Sequence, residues 1–464
     1  MIRIQPFIFI VLICLILLFS FEEMLYGRLL NGELSYILAK TFSELLVYGI
    51  LFLVVVAKCL DKSISNFRVT KADFCILFFL MLVFISTLIN NGDLFKALIN
   101  LRAMMRYIAF YYIIVLLQWT PTSRQLDILI KVLSLIVITQ VGFTLLQHVL
   151  GEEFRDRFFA PPVIKAELTE IQSLVNNLET KIGVGYGSFG RPAALAFFLF
   201  ICAIIFFVYG SCYKNKSISM YLMYFLCLIG IFYTYKRGPL LLTLSIPIIW
   251  WWFVGHRFRV MLLGAIMLSG VIALMMVSNL SSIEYVKAKE VSLSPIQSLM
   301  QLLSIEYWQN TSSGSRGWFI MEVGKEAITS FKPLGYGADV NNAQSILAAK
   351  GGAFGKLVGW NAFEDVFVIA SLIYYGPLGL LVLTLFLILI YRRSIFFLKQ
   401  TSNNNVLVQS FRIACFLLPL ALFMERALEL RAFSFIFWTL AGVSIASSIK
   451  SYSINEKDIK NTIG

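Results

Sequence analysis

Two neighbouring carboxylates, Glu364 and Asp365, stand where a polar stretch (279–363) gives way to an apolar run, in Trp360-Asn-Ala-Phe-Glu-Asp-Val-Phe-Val. Partial burial at a membrane boundary raises a carboxyl pKa toward neutrality, the range useful to a general base. The same pair also suits a cap on a helix N-terminus, where anions are favoured. Four cations complement them. Arg316 lies in Ser315-Arg-Gly-Trp318, Lys236 and Arg237 lie in Tyr233-Thr-Tyr-Lys-Arg-Gly-Pro239, and Arg191 follows the glycine-rich run 183–190. Guanidinium forks bind phosphate oxygens bidentately, so several arginines on one side of a membrane suggest a diphosphate ligand. Ordinary loop solvation accounts equally well for Arg191 and Arg316, and interfacial snorkelling for Lys236 and Arg237. Against snorkelling, short loops on the outer side disfavour positive charge.

The elements that would position these groups are membrane helices. The chain has 464 residues, 59% of them hydrophobic and only 14% charged, with mean hydropathy +0.81. Soluble domains are roughly 45–50% apolar and about 25% charged. A span needs roughly 20 apolar residues and must satisfy its own backbone, which makes each apolar run a helix. The expected fold is an all-α polytopic membrane protein with about twelve spans. They fall near 6–20, 40–60, 72–90, 103–119, 126–148, 192–210, 218–235, 238–254, 259–278, 364–391, 407–424 and 432–449. The first run lacks a small-residue cleavage site and is expected to persist as a span.

Orientation follows from the short loops. Lys58, Lys62, Arg68, Lys71, Lys214, Lys216, Arg257, Arg259, Arg392, Arg393 and Lys399 fall on one side together with the tail 450–464. The positive-inside tendency makes that side, and both termini, cytoplasmic. Two long loops, 149–191 and 279–363, then face outward. They divide the chain into spans 1–148, 192–278 and 364–449. Each long loop is expected to carry a helix. In the first, Ile164, Leu168, Ile171, Val175 and Leu178 share one helical face. In the second, residues 318–328 read as a short helix before Pro333, and Gly335-Tyr-Gly337 reads as a turn. The net charge of +13 is therefore partly a topology signal, and nucleic acid is not implied. The seven cysteines lie in spans or near cytoplasmic ends, and the two histidines make no cluster with them, so a transition-metal site is not expected.

Four features remain open at this level. The glycine-rich run ahead of Pro192 reads as an anion site before a helix N-terminus or as a flexible re-entry loop. Glu425, Arg426, Glu429 and Arg431 read as ion pairs closing the last hairpin. Lys96, Arg102 and Arg106 lie on a helix entering the fourth span, where they would line an entry route for an anionic headgroup. Tyr186, Trp318, Tyr336 and Trp360 are candidates for stacking on sugars or for interfacial anchoring.

In order and spacing, Gly187-Ser-Phe-Gly-Arg-Pro192, Thr234-Tyr-Lys-Arg-Gly-Pro239, Ser315-Arg-Gly-Trp318, Pro333-Leu-Gly-Tyr-Gly337 and Gly376-Pro-Leu-Gly379 resemble the O-antigen polymerase and ligase superfamily of bacterial inner membranes. The resemblance covers about residues 185–385. It implies glycan transfer from an undecaprenyl diphosphate carrier on the periplasmic face, without nucleotide or metal cofactor. Arg237 and Arg316 would fall on the family's diphosphate-holding arginines, with Arg191 and Lys236 beside them. Ligases typically carry a histidine where the large loop enters the next span. Here Glu364 and Asp365 hold that place, which favours a polymerase over a ligase. The expected partners are the lipid-linked glycan, membrane lipid and a chain-length regulator protein. A lipid-linked oligosaccharide flippase belongs to another class and would show repeat symmetry, which this sequence lacks.

Overall fold

The computed structural model describes residues 4–29, 33–60, 70–159, 184–254, 318–355, 366–400 and 405–463. Among these residues every regular element is helical. The principal helices are α1 (Ile4–Leu29), α2 (Glu33–Leu60), α3 (Lys71–Ile89), α4 (Leu94–Met105), α5 (Ile108–Leu117), α6 (Ser123–Phe158), α7 (Pro192–Cys212), α8 (Ser217–Tyr233) and α9 (Arg237–Val254). A π-helical turn, Phe319–Val323, leads into α10 (Gly324–Thr329). After α11 (Val340–Lys350) come α12 (Phe367–Tyr374), α13 (Gly376–Gln400), α14 (Val406–Met424) and α15 (Arg431–Ile463).

Eight of these helices contain a stretch long and apolar enough to cross a membrane, and α4 with α5 makes a ninth if the bent pair is one span. The protein is thus an all-helical polytopic membrane protein. α8, at 17 residues, is a shorter apolar helix. The expected span 259–278 and the amphipathic face around Ile164 lie outside the described residues.

Pro192–Cys212 is the axis of the bundle. It is apolar on every side, as a helix without a solvent face must be, and 94% of it is buried. α8, α9, α14 and α15 pack around it. Local signals set the helix starts. Thr70 and Asp73 form a reciprocal capping box on α3, and Asp93, Asp339 and Asn405 cap α4, α11 and α14.

The expected fourth span, 103–119, is instead two helices meeting at 60°. The bend falls at Arg106–Tyr107, where Arg106 Nε donates to the Ala103 carbonyl at 3.0 Å, a group released from the helical ladder. The expected tenth span is likewise interrupted, between α12 and α13, at Gly376 (φ 68°).

The end holding Ile89, Pro192, Tyr233, Arg237, Met424 and Arg431 is called the arginine end. The opposite end holds Lys58, Lys71, Lys216 and Arg393.

Candidate functional site

The arginine end is assembled by three connections. The first is the glycine-rich segment. Residues 184–190 are buried, and two glutamines of α6 hold their backbone. Gln147 Oε1 accepts from the amides of Tyr186 (2.8 Å) and Gly187 (2.9 Å), while its Nε2 donates to the Gly187 carbonyl at 2.7 Å. Gln140 Oε1 accepts from the Ser188 amide at 2.9 Å, and its Nε2 donates to the α1 carbonyl of Ser20 at 3.0 Å. At Gly187 (φ 56°) a Cβ would lie 2.3 Å from Gln140 Oε1. The glycines therefore serve close packing. With the amides of residues 186–188 already paired to side chains, the segment is neither a free anion nest nor a flexible loop. Arg191, exposed at the start of α7, is what it presents outward.

The second connection is the hydrogen bond from the Gly185 amide to the Tyr233 carbonyl, 3.0 Å. It ties this segment to the turn that carries Lys236 and Arg237. Thr234 closes that turn, its Oγ1 donating to the Ile231 carbonyl at 2.6 Å and accepting from the Lys236 amide at 3.3 Å. Tyr235 occupies the left-handed region at φ 58°, a costly conformation for a non-glycine residue. Lys236 and Arg237 follow, both half-buried.

The third connection is Gly238, where a Cβ would sit 2.7 Å from Met424 Sδ and 3.1 Å from its Cβ. Only a glycine lets this turn approach the end of α14, after which come Glu425 and Arg426. There the charge leaves the surface. Arg426 Nη2 pairs with Glu429 Oε2 at 2.8 Å within the hairpin, as the sequence led one to expect. Arg431 reaches inward instead. Its Nη1 meets both Glu22 oxygens, at 3.1 and 2.9 Å, and its Nη2 meets Glu44 Oε1 at 3.1 Å.

Glu44 is the hub of this cluster. It also binds Arg106 Nη1 at 2.7 Å and Arg102 Nε at 3.2 Å, and Arg106 Nη2 donates to the Glu429 carbonyl at 3.4 Å. Glu22 and Glu44 are each only 2% exposed, and Arg106 9%. Both glutamates lie within spans, Pro6–Tyr26 and Thr41–Leu60. Ionisable groups at that depth are costly and mark function by default. Arg102 and Arg106 are thus committed to a carboxylate rather than lining an open entry route, while Lys96 stands exposed.

The large loop docks beside this rim. Tyr336 and Gly337 donate their amides to the carbonyls of Ile373 (2.8 Å) and Tyr374 (3.0 Å), and the Leu378 amide donates to Pro333 O at 3.2 Å. Gly335 and Gly376 meet back to back. A Cβ on Gly376 would fall 2.3 Å from Pro333 O and 2.4 Å from Gly335 N. The Pro333–Gly337 and Gly376–Gly379 motifs are therefore one interlock. It seats on α3, with Ser86 Oγ and Asn90 Nδ2 donating to Gly335 O at 3.3 and 3.2 Å and Thr87 Oγ1 accepting from the Ala338 amide at 3.2 Å. Lys332 Nζ donates to Asn90 Oδ1. Lys332 and Lys350 lie 4.4 and 5.0 Å from the Tyr336 ring centroid. Burial, and then the charge of Lys350, hold the Lys332 ammonium below the ordinary lysine value.

Tyr186, Trp318 and Tyr336 are buried core residues, which corrects their reading as sugar-stacking or interfacial aromatics. Arg316, Glu364, Asp365 and Trp360 lie outside the described residues. Among the described residues no three His, Cys, Asp or Glu side chains converge as a metal site requires. The chemistry this end offers is that of fixed cations set against an anionic ligand.

Fold and charge distribution together define a helical membrane protein with a cationic rim at one end of its bundle. No protein-family model and no curated protein matches the chain.

Proposed function

We propose that the protein polymerises undecaprenyl diphosphate-linked oligosaccharide repeat units, as in O-antigen or capsule biosynthesis, on the periplasmic face of a bacterial inner membrane. The observation that carries the reading is the joining of the segment that leads into Arg191 to the turn bearing Lys236 and Arg237, through the Gly185–Tyr233 hydrogen bond, at one end of an apolar bundle. A ligand recognised there must reach the protein from the bilayer surface and carry negative charge, as a lipid-linked diphosphate does. The opposite end holds Lys58, Lys71, Lys216, Arg392 and Arg393 in or beside short connections, which supports a cytoplasmic assignment for it. It also supports an outward assignment for the arginine end.

In this reading a hydroxyl of the acceptor unit attacks the anomeric carbon of the growing chain, and the bond to the diphosphate breaks. Arg237 and Arg316, with Lys236 and Arg191, hold the departing diphosphate and stabilise its developing charge. Glu364 or Asp365 takes the hydroxyl proton or orients the hydroxyl. The enzyme is then a membrane glycosyltransferase of lipopolysaccharide or other polysaccharide biosynthesis.

Electrophoresis of surface polysaccharide from a deletion strain carrying Arg237→Ala or Arg316→Ala is the test. A ladder reduced to a core-plus-one-unit band is expected. Loss of every core-attached unit, with long lipid-linked polymer accumulating, would instead indicate a ligase. Failure of lipid-linked units to reach the periplasm would indicate transport.

A further inference from the structure

A second basic feature lies at the opposite end of the bundle. Between the start of α3, the second half of α13, the middle of α15 and α5 there is a cavity of about 140 Å³, lined by Thr70, Lys71, Tyr111, Ile390, Arg393 and Ile445. Even about 15 Å³ of such space admits a water, so a phosphate group fits readily. Lys71 is exposed and Arg393 half-buried, and neither has an acidic partner among the described residues. The nearest carboxylate in sequence, Asp73, lies at the cavity's edge and pairs with neither cation; it accepts from the amide (2.7 Å) and Oγ1 (2.7 Å) of Thr70, a lining residue, and from the Tyr112 hydroxyl (3.0 Å). Among the described residues the cavity therefore presents two cations against a single carboxylate, itself held by Thr70 and Tyr112.

Two apolar stripes leave it along the bundle surface. Phe74, Phe78 and Met81 recur on one face of α3, and Ile388, Leu385 and Leu381 on one face of α13; all six are exposed. The two helices pack side by side, so both stripes run from the cavity toward the middle of the apolar zone.

We propose that this cavity is a headgroup site for an anionic phospholipid, with Lys71 and Arg393 on the phosphate and the two stripes against the acyl chains. A basic pocket between membrane helices, opening onto apolar helix surface, has the charge and shape such a lipid requires. A soluble phosphate would satisfy the cations but leave the stripes unused.

Native mass spectrometry of the full chain in micelles tests this, with phosphatidylglycerol, phosphatidylcholine or inorganic phosphate added. Phosphatidylglycerol should be retained in preference to phosphatidylcholine, and less so as salt is raised. Lys71→Ala with Arg393→Ala should weaken its binding about 30-fold, two interfacial cations' worth. Arg392→Ala, a neighbouring cation outside the cavity, should leave it unchanged. If the double alanine variant does not fold, Lys71→Arg with Arg393→Lys keeps both charges and should keep the preference. Equal retention of the two lipids by the parent protein, or undiminished binding in the double alanine variant, overturns the proposal. Phosphate adducts without retained lipid would overturn it in favour of a soluble anion.

Discussion

Converting Glu44 to glutamine removes the carboxylate that three guanidinium groups share. The structure sets the size of the effect. Two of those arginines are well buried, Arg106 and Arg431, with side chains 10% and 15% exposed, and they contact Glu44 at 2.7 and 3.1 Å. Breaking a buried pair on one side costs about 3–5 kcal/mol, because the remaining charge stays desolvated. The third partner, Arg102, is 40% exposed, and solvent screening leaves its share below about 1 kcal/mol. Glu44→Gln should therefore destabilise the protein by about 3–5 kcal/mol, and Arg102→Gln by less than about 1 kcal/mol. Combining Glu44→Gln with Arg106→Gln should cost less than the two separate losses by about 1–3 kcal/mol, since each removes the partner the other strands. Denaturant unfolding in micelles of these variants and of Arg106→Gln, with Glu44 and Arg106 read as a double-mutant cycle, measures all three quantities. Strict additivity, or Glu44→Gln within about 1 kcal/mol of the parent, would refute the view that these charges act as one buried unit.

Two further outcomes follow from the large loop. Gly376→Ala would force a side chain into the left-handed region, at roughly 1–2 kcal/mol, and drive its Cβ against Pro333 O and Gly335 N, backbone atoms with no rotamer to yield. Protease cleavage should then appear between residues 333 and 340; full protection would refute the interlock. Lys332 titrates below its ordinary value of 10.5 because burial disfavours its charge. Between its folded value and 10.5 the unfolded chain binds more protons, so stability should rise with pH across that window. Unfolding midpoints of Lys332→Met should lose this rise, and an unchanged pH slope would count against the assignment.

The sequence was most legible where burial and local chemistry coincide. Apolar runs located most spans, and the Arg426–Glu429 pair was readable because its partners are three residues apart. The bend at Arg106 was not legible, since the partners that hold the Arg106 guanidinium there, Glu44 and the Glu429 carbonyl, are far away in the chain. Glu44 was passed over because a single carboxylate barely lowers the hydropathy of the run 40–60, and Glu22 because the first span was ended at residue 20, whereas the helix continues through it. The glycine-rich motifs were visible as motifs but not as packing. Gly187 answers to Gln140 and Gly376 to Gly335, and such pairings leave no local periodicity. Of the cations singled out, Arg191, Lys236 and Arg237 do come to one end of the bundle. Arg316, Glu364 and Asp365 fall outside the described residues.

The interlock at Gly335 also imposes an order on biosynthesis. Ser86 and Asn90, at the end of α3, find their partner carbonyl 249 and 245 residues later in the chain. At roughly 5–20 residues per second, a ribosome needs about 12–50 s to supply it. Throughout that interval α3 is already made, while the helix it packs against, α13, and the loop that caps it do not yet exist. Assembly of this corner is therefore necessarily late, and an early helix must keep a polar edge hydrated at the bilayer surface until the final third of the chain emerges.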